Sequence, residues 1–354
     1  MQRGNEMPGN KLTALKMMLL AAASAQKLPA QAVQTRPPIA EYARPLEYPH
    51  ADEAAVAQHF DKAKRIAGDD LYTFFNSLCI QDQLYKLRTT GAQYNGIIPP
   101  QMVFDDLYYV GQMAVSAWVL NTSDGLILFD GLDNAGEAAG IVEAGMVKLG
   151  LDPRRVKYVV ITHAHADHYG GAQYFKDRYG SVLVASSEDW AEMAKPSVMD
   201  RNPLFDHAPS RGGKDIAVDD GSSLRLGNRT VHFALTPGHT PGTLSIWFEV
   251  RDKGAAHRVG LYGGIGMPRN VAAQRQQIGS LTHWLEVTQA AGVDAQIGNH
   301  PLHFDGPARL ELLKYRTRGE PNPFVMGADG YQRYIQLQRE CVKLQLAREG
   351  EVAN

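Results

Sequence analysis

The spacing of apolar positions changes character along the chain, and each change marks an element. Residues 27–50 carry Pro29, Pro37, Pro38, Pro45 and Pro49 and read as an extended arm with little helix. From Asp52 the spacing turns helical. Val56, Phe60, Ala63 and Ala67 fall in register, and the apolar stretch 71–87 continues the helical region until Gly96 and Pro99-Pro100 end it. Short β-branched and aromatic runs follow at 107–110, 115–122 and 126–129, separated by Gly111 and the turn Ser123-Asp124-Gly125. An Ala- and Glu-rich helix over 134–149 closes on Gly150. Residues 156–161 show little alternation, which predicts a strand buried on both faces. A helix at about 170–178, a strand at 181–185 and a helix at 187–195 come next. The second half returns to strands at 223–226, 229–235, 243–250, 257–262 and 295–297, with helices at about 273–291, 306–316 and 328–348.

Strands lead and helices follow in each half. That order predicts an α/β fold of the αββα kind, two mixed β-sheets packed together with helices outside. The main domain is expected over 99–354, and 26–98 is expected to be an N-terminal extension lying on it. With 354 residues, 44% of them apolar, the chain can bury a full core. Its 36 basic and 38 acidic residues leave a net charge of −2 and form no basic run. Nothing there draws nucleic acid or an anionic membrane, so the expected partner is a small-molecule substrate.

The first residues add a question of location. Lys11 and Lys16 precede the apolar run 17–23, and Ala23-Ser24-Ala25 has the small-residue form of a cleavage site. This predicts a secretory signal peptide over 1–25, a mature chain beginning at Gln26, and a periplasmic or secreted product; the alternative is a retained leader on a cytoplasmic protein. No stretch reaches the roughly 20 apolar residues that span a bilayer. The two cysteines, Cys79 and Cys341, are too far apart for spacing to decide whether they pair. Cys341 lies in an apolar helical pattern and reads first as a packed core thiol.

The candidate chemistry is concentrated in Thr162-His163-Ala164-His165-Ala166-Asp167-His168-Tyr169-Gly170-Gly171. This run follows the strand at 156–161 and precedes a helix. Residues at i and i+2 of an extended segment point the same way, so His163 and His165 can grip one metal. Asp167 and His168, at the turn into the helix, suit a second. Ala164 and Ala166 leave room, and Gly170-Gly171 allows close backbone approach. One structural histidine would be unremarkable, but that reading does not absorb three. Two further histidines stand on tight loops at strand ends: His239 in Pro237-Gly238-His239-Thr240-Pro241-Gly242, and His300 in Gly298-Asn299-His300-Pro301. His59, His232 and His283 read as ordinary structural histidines. His207, His257 and His303 stay open, with His303 the nearest to the candidate site in sequence.

His163-x-His165-x-Asp167-His168, followed by Gly238-His239 and His300, resembles the metallo-beta-lactamase superfamily, over about 100–345. The resemblance implies zinc, two ions per chain, one held by His163, His165 and His239 and the other by Asp167, His168 and His300. Leu128-Phe129-Asp130-Gly131 resembles the family's early strand, whose Asp orients the metal-binding loop. Leu261-Tyr262-Gly263-Gly264-Ile265 resembles the strand that in most members ends on a bridging Asp or a Cys; here Ile265 stands there and cannot bind metal. Subclass B3 β-lactamases also lack that ligand, and Asn322-Pro323-Phe324-Val325 is similar to their C-terminal stretch. Many of them carry a disulfide for which this chain has Val293 and Gly330 instead.

The resemblance therefore implies a zinc-dependent hydrolase that activates water to open a cyclic amide, a β-lactamase of the B3 type, with Asp167 also orienting the nucleophile. The alternative is a B3-like hydrolase acting on a lactone or another ester or amide. A zinc nuclease fits the balanced charge poorly. Ser186, Ser187 and Ser222 are not needed as nucleophiles.

Overall fold

A computed structural model describes residue 38 and residues 45–85 and 96–352. Lys11, Lys16 and the proposed cleavage site at Ala25–Gln26 lie outside the described residues, as does most of the Pro-rich arm. The described elements belong to one compact unit, Arg44–Asn354.

Among the described residues twelve strands form two sheets. The first sheet contains β1 (Gln101–Phe104), β2 (Leu107–Tyr109), β3 (Trp118–Thr122), β4 (Gly125–Phe129), β5 (Val156–Val160), β6 (Val182–Ser186) and β7 (Ile216–Val218), side by side in that order. Pairing is antiparallel from β1 to β4 and parallel from β4 to β7. The second sheet runs β12 (Ala295–Ile297), β11 (Ala255–Leu261), β10 (Leu244–Asp252), β9 (Arg229–Leu235) and β8 (Ser223–Leu226). Its only parallel pair is β11 with β12. The fold is the αββα sandwich of two mixed sheets flanked by helices that the element order predicts.

The burial of each strand follows from its place. β4 lies mid-sheet with both faces covered, and all five of its residues are buried. Between the sheets Phe129 stacks on Phe248 with ring centroids 5.2 Å apart. The outer face of the first sheet carries the helical run 135–148, capped by Asn134 and including a π-helical stretch at Ala138–Glu143, and the helix Ala172–Tyr179. Trp284 and Leu285 of the long helix Val271–Ala291, and Tyr331 and Tyr334 of the C-terminal helix Gly327–Arg348, belong to the core cluster that covers the second sheet. Several expectations shift. The strand at 156–160 is not wholly buried, because Lys157 is exposed at its entry. The strand expected from 115 begins at Trp118. The short strands β1 and β7 are additional to the sequence expectations.

The N-terminal helices are fastened to the end of the chain. Helix Glu53–Ala67 packs along Gly327–Arg348, and Lys62 and His59 both pair with the buried carboxylate of Glu340. The expectation of a free core thiol at Cys341 is corrected: Cys341 forms a disulfide with Cys79 across a sequence separation of 262, and both are fully buried. The pairing is a product of the helical stretch Asn76–Gln81 packing against the last helix, which local spacing does not encode.

Candidate metal centre

The candidate residues gather where strands of both sheets end. β5 delivers the Thr162–Gly171 segment, β9 delivers Thr236–Gly242, and β12 delivers Asn299-His300. The dense motif is anchored from below by Asp130, just past β4, which is 1% exposed. Asp130 and Leu132 both hold positive φ, 60° and 65°. Such conformations are costly for residues with a Cβ and persist where surrounding contacts over-determine them. Asp130 accepts from Thr162 N at 2.8 Å and from Thr162 Oγ1 at 2.9 Å. Gly170 and Gly171 seal the turn against the same loop: a Cβ on Gly171 would lie 2.1 Å from Gly131 O, and one on Gly170 would lie 1.8 Å from Asp133 O.

Two triplets result. The ligand atoms of His163, His165 and His239 lie within 4.8 Å of one another, and so do those of Asp167, His168 and His300. In the first triplet the ring centroids are 4.6–4.8 Å apart. His239 Nδ1 lies 3.0 Å from Gly266 O, and a carbonyl can only accept. That nitrogen therefore carries the proton, leaving the Nε2 lone pair free. His163 Nε2 is buried without a hydrogen-bond partner. Burial and the neighbouring histidines hold His163 well below its ordinary range and His239 down at about 3. Both are thus neutral, the form in which imidazole binds metal.

The second triplet repeats the logic. His300 Nδ1 donates to Ala114 O at 2.9 Å, and His168 Nδ1 donates to Asp130 Oδ2 at 2.8 Å. Their Nε2 atoms then face each other at 3.2 Å, with Asp167 Oδ2 at 3.3 Å from one and 3.8 Å from the other. Three acceptors converging this closely require a shared cation. In the protein alone a proton fills that role. Burial opposes charge on His168, but the carboxylates of Asp167 and Asp130 override it and push the ring up to about 10. Burial alone would raise Asp167; His168, His300 and His165 hold it low instead, so it stays ionised. The donor set of imidazole nitrogens and a carboxylate is one that suits zinc.

The other histidines fall outside both triplets. His303 lies beside His300, with rings 5.7 Å apart, but its Nε2 pairs with Asp82 at 3.4 Å. His257 pairs with Asp294, His59 with Glu340 and His283 with Asp220, while His232 stacks on Trp247 and His207 is largely exposed. Ile265 is 7% exposed and packs in the core. Ser186 is a helix cap rather than a nucleophile. Three residues near the site escaped sequence reasoning. Asn299 donates to Gly263 O at 2.6 Å, Asp133 lies close enough to Asp167 to feel its charge, and Asp189 bonds to both loops of the first triplet. Beside the centre is a cavity of about 240 Å³ whose walls include Ala164, Tyr169, Met193, Val198 and Asp200.

Convergent acceptor triplets on loops at the rim of a two-sheet sandwich have the donor chemistry of a two-metal centre. Residues 110–252 match the model of the metallo-beta-lactamase superfamily, whose members are metal-dependent hydrolases. A solved subclass B3 metallo-beta-lactamase of Bradyrhizobium japonicum is 26% identical, with a TM-score of 0.59 over 70% of this chain and 93% of that one. The native FEZ-1 metallo-beta-lactamase of Legionella gormanii shares the fold at 24% identity, with a TM-score of 0.61 over 72% of this chain and 97% of that one. Among curated relatives, a probable metallo-hydrolase of Burkholderia pseudomallei is 33% identical over 29% of this chain and 34% of its own length. A hydroxyacylglutathione hydrolase of Methylococcus capsulatus is 34% identical over 30% of this chain and 35% of its own length. The match thus spans about a third of each of these two relatives.

Proposed function

We propose that the chain is a dinuclear zinc hydrolase that opens a cyclic amide, a β-lactamase of the B3 type. His163, His165 and His239 would hold one zinc, and Asp167, His168 and His300 the other. The observation that carries this reading is the second triplet, where His168 Nε2, His300 Nε2 and Asp167 Oδ2 converge within 3.2–3.8 Å and become three acceptors for one metal once the His168 proton is displaced. A nitrogen-and-oxygen set with no residue at 265 able to bridge is what the B3 likeness implies.

Zinc supplies Lewis acidity there, acidifying water and polarising a carbonyl. The protein does the rest. Asp130 fixes the tautomer of His168, and Ala114 O and Gly266 O fix those of His300 and His239. Asp167, ionised and half-buried, accepts a hydrogen from the attacking water and orients it. The cavity beside Ala164 and Tyr169 gives room for the substrate's side group.

A second reading is favoured by the likeness to a hydroxyacylglutathione hydrolase: turnover of a lactone, thioester or other ester or amide in place of a β-lactam. Kinetics of the zinc-loaded protein against a penicillin, a carbapenem, a lactone and a hydroxyacylglutathione separate the two. Turnover of the β-lactams with kcat/KM far above the others supports the first; turnover of the lactone or thioester alone replaces it. We also propose export with cleavage after Ala25. The Cys79–Cys341 disulfide supports an oxidising compartment. An intact cytoplasmic product in the native host, seen by mass spectrometry, would reject this.

A further inference from the structure

We infer that Asp189 is a positioning residue that locks the two loops of the first triplet into one rigid cradle. It rests on the zinc reading above.

Asp189 stands in the first turn of helix Ser187–Met193, directly after β6, and is 1% exposed. Its own backbone N–H donates to Ser186 Oγ, which fixes the turn. Its carboxylate faces three donors. Ala164 N, between His163 and His165, donates to Oδ2 at 2.9 Å. Thr240 Oγ1, next to His239, donates to the same oxygen at 2.8 Å. Gly242 N donates to Oδ1 at 2.8 Å. One carboxylate thus ties the 163–165 segment to the 239–242 segment, although the two leave different sheets. Gly242 is required for the approach, since a Cβ there would lie 2.4 Å from Asp189 N and 2.8 Å from Asp189 Cγ. Thr240 Oγ1 is also 2.7 Å from Thr243 Oγ1, so the second loop is braced internally.

A helical carboxylate with no substrate within reach and no ion-pair partner has little other reason to be buried. An unpaired buried carboxylate is expensive, and only a full set of donors offsets that cost. Here every donor belongs to a loop carrying a proposed zinc ligand. The second triplet has its own anchor in Asp130, which makes no bond to the 239–242 loop. Asp189 should therefore act on one site and not the other. That asymmetry separates a positioning role from general stabilisation.

The test titrates zinc and cobalt(II) into metal-free wild type, Asp189→Asn, Asp189→Glu and Thr240→Val, with a competing chelator. Wild type must bind two ions; if it binds none, the zinc reading has failed and Asp189 is not at issue. Asp189→Asn keeps the shape but turns one acceptor into a donor against a loop N–H. It is expected to weaken one of the two sites by about 10–100-fold and leave the other within about twofold. The cobalt(II) absorption band lost should be the one also lost in His239→Ala. Thr240→Val, which removes one of the three bonds to Asp189 together with the contact to Thr243, should weaken the same site by less. Asp189→Glu should restore part of the affinity. If Asp189→Asn lowers the melting temperature of the metal-free protein while both sites keep wild-type affinity, Asp189 is a structural residue and the inference is overturned. Equal weakening of both sites overturns it too.

Discussion

The imidazole of His168 is pinned from behind: Asp130 Oδ2 lies 2.8 Å from its Nδ1 and 2.9 Å from Thr162 Oγ1. The carboxylate both selects the tautomer and sets the path of the loop through Thr162 N. Asp130→Asn keeps the volume but replaces one acceptor with a donor. We expect zinc affinity at the second site to fall by about 10–100-fold, read by chelator competition. Unchanged affinity would mean that the Asp130–His168 contact is incidental.

His300 and His303 are three residues apart, yet only His300 contributes to a triplet. His300→Ala should leave one zinc bound and drop hydrolysis by more than the Asp130 variant does. His303→Ala should keep both ions, since its ring is paired with Asp82. Elemental analysis with the two results exchanged would place the ligand at 303.

Asp133 offers a test in pH. Burial, then the charges of Glu137 and Asp167, push its carboxyl up to about 7. The folded pKa lies above the unfolded value near 3.9, so the unfolded chain releases its proton first. Stability is therefore lost as pH rises from about 4 to about 7. In metal-free protein Asp133→Asn, which does not titrate, should be more stable than wild type by about 1–2 kcal/mol at pH 8, allowing for partial solvent screening. The gap should close by about pH 4. Urea denaturation at both pH values checks this, and a gap that is equal at both would show that Asp133 titrates normally.

The Cys79–Cys341 bond predicts a redox dependence. Replacing both cysteines by Ser should lower unfolding free energy by about 2–5 kcal/mol in guanidinium melts. Wild type in strong reductant should approach the variant. If the two proteins melt together under oxidising conditions, the bridge contributes nothing beyond the packing already there.

The parts legible in the sequence share one property: local periodicity or local density of chemistry. The helix at 271–291, the strand at 229–235 and the cluster 163–168 are each complete within a short window. β1 and β7 are not, being only four and three residues long and dependent on a neighbouring strand for their existence. Asp189 sits with Glu188 in a helix's first turn, where an acidic residue is ordinary. Only the folded chain brings Ala164 and Gly242 to it. The disulfide was hidden for the same reason, since its partners meet only once the last helix is in place.

That last point bears on how the molecule is made. Helix Glu53–Ala67 docks on Gly327–Arg348, so the surface it must cover is synthesised roughly 280 residues later. At about 5–20 residues per second the ribosome needs on the order of tens of seconds to deliver it. During that interval Phe60, Phe74 and Phe75 have no lasting partner from the C-terminal helix. The nascent chain must wait with its first helices undocked, and a truncation that removes the C-terminal helix would leave them so permanently, an apolar surface at the start of the protein created by a deletion at its end.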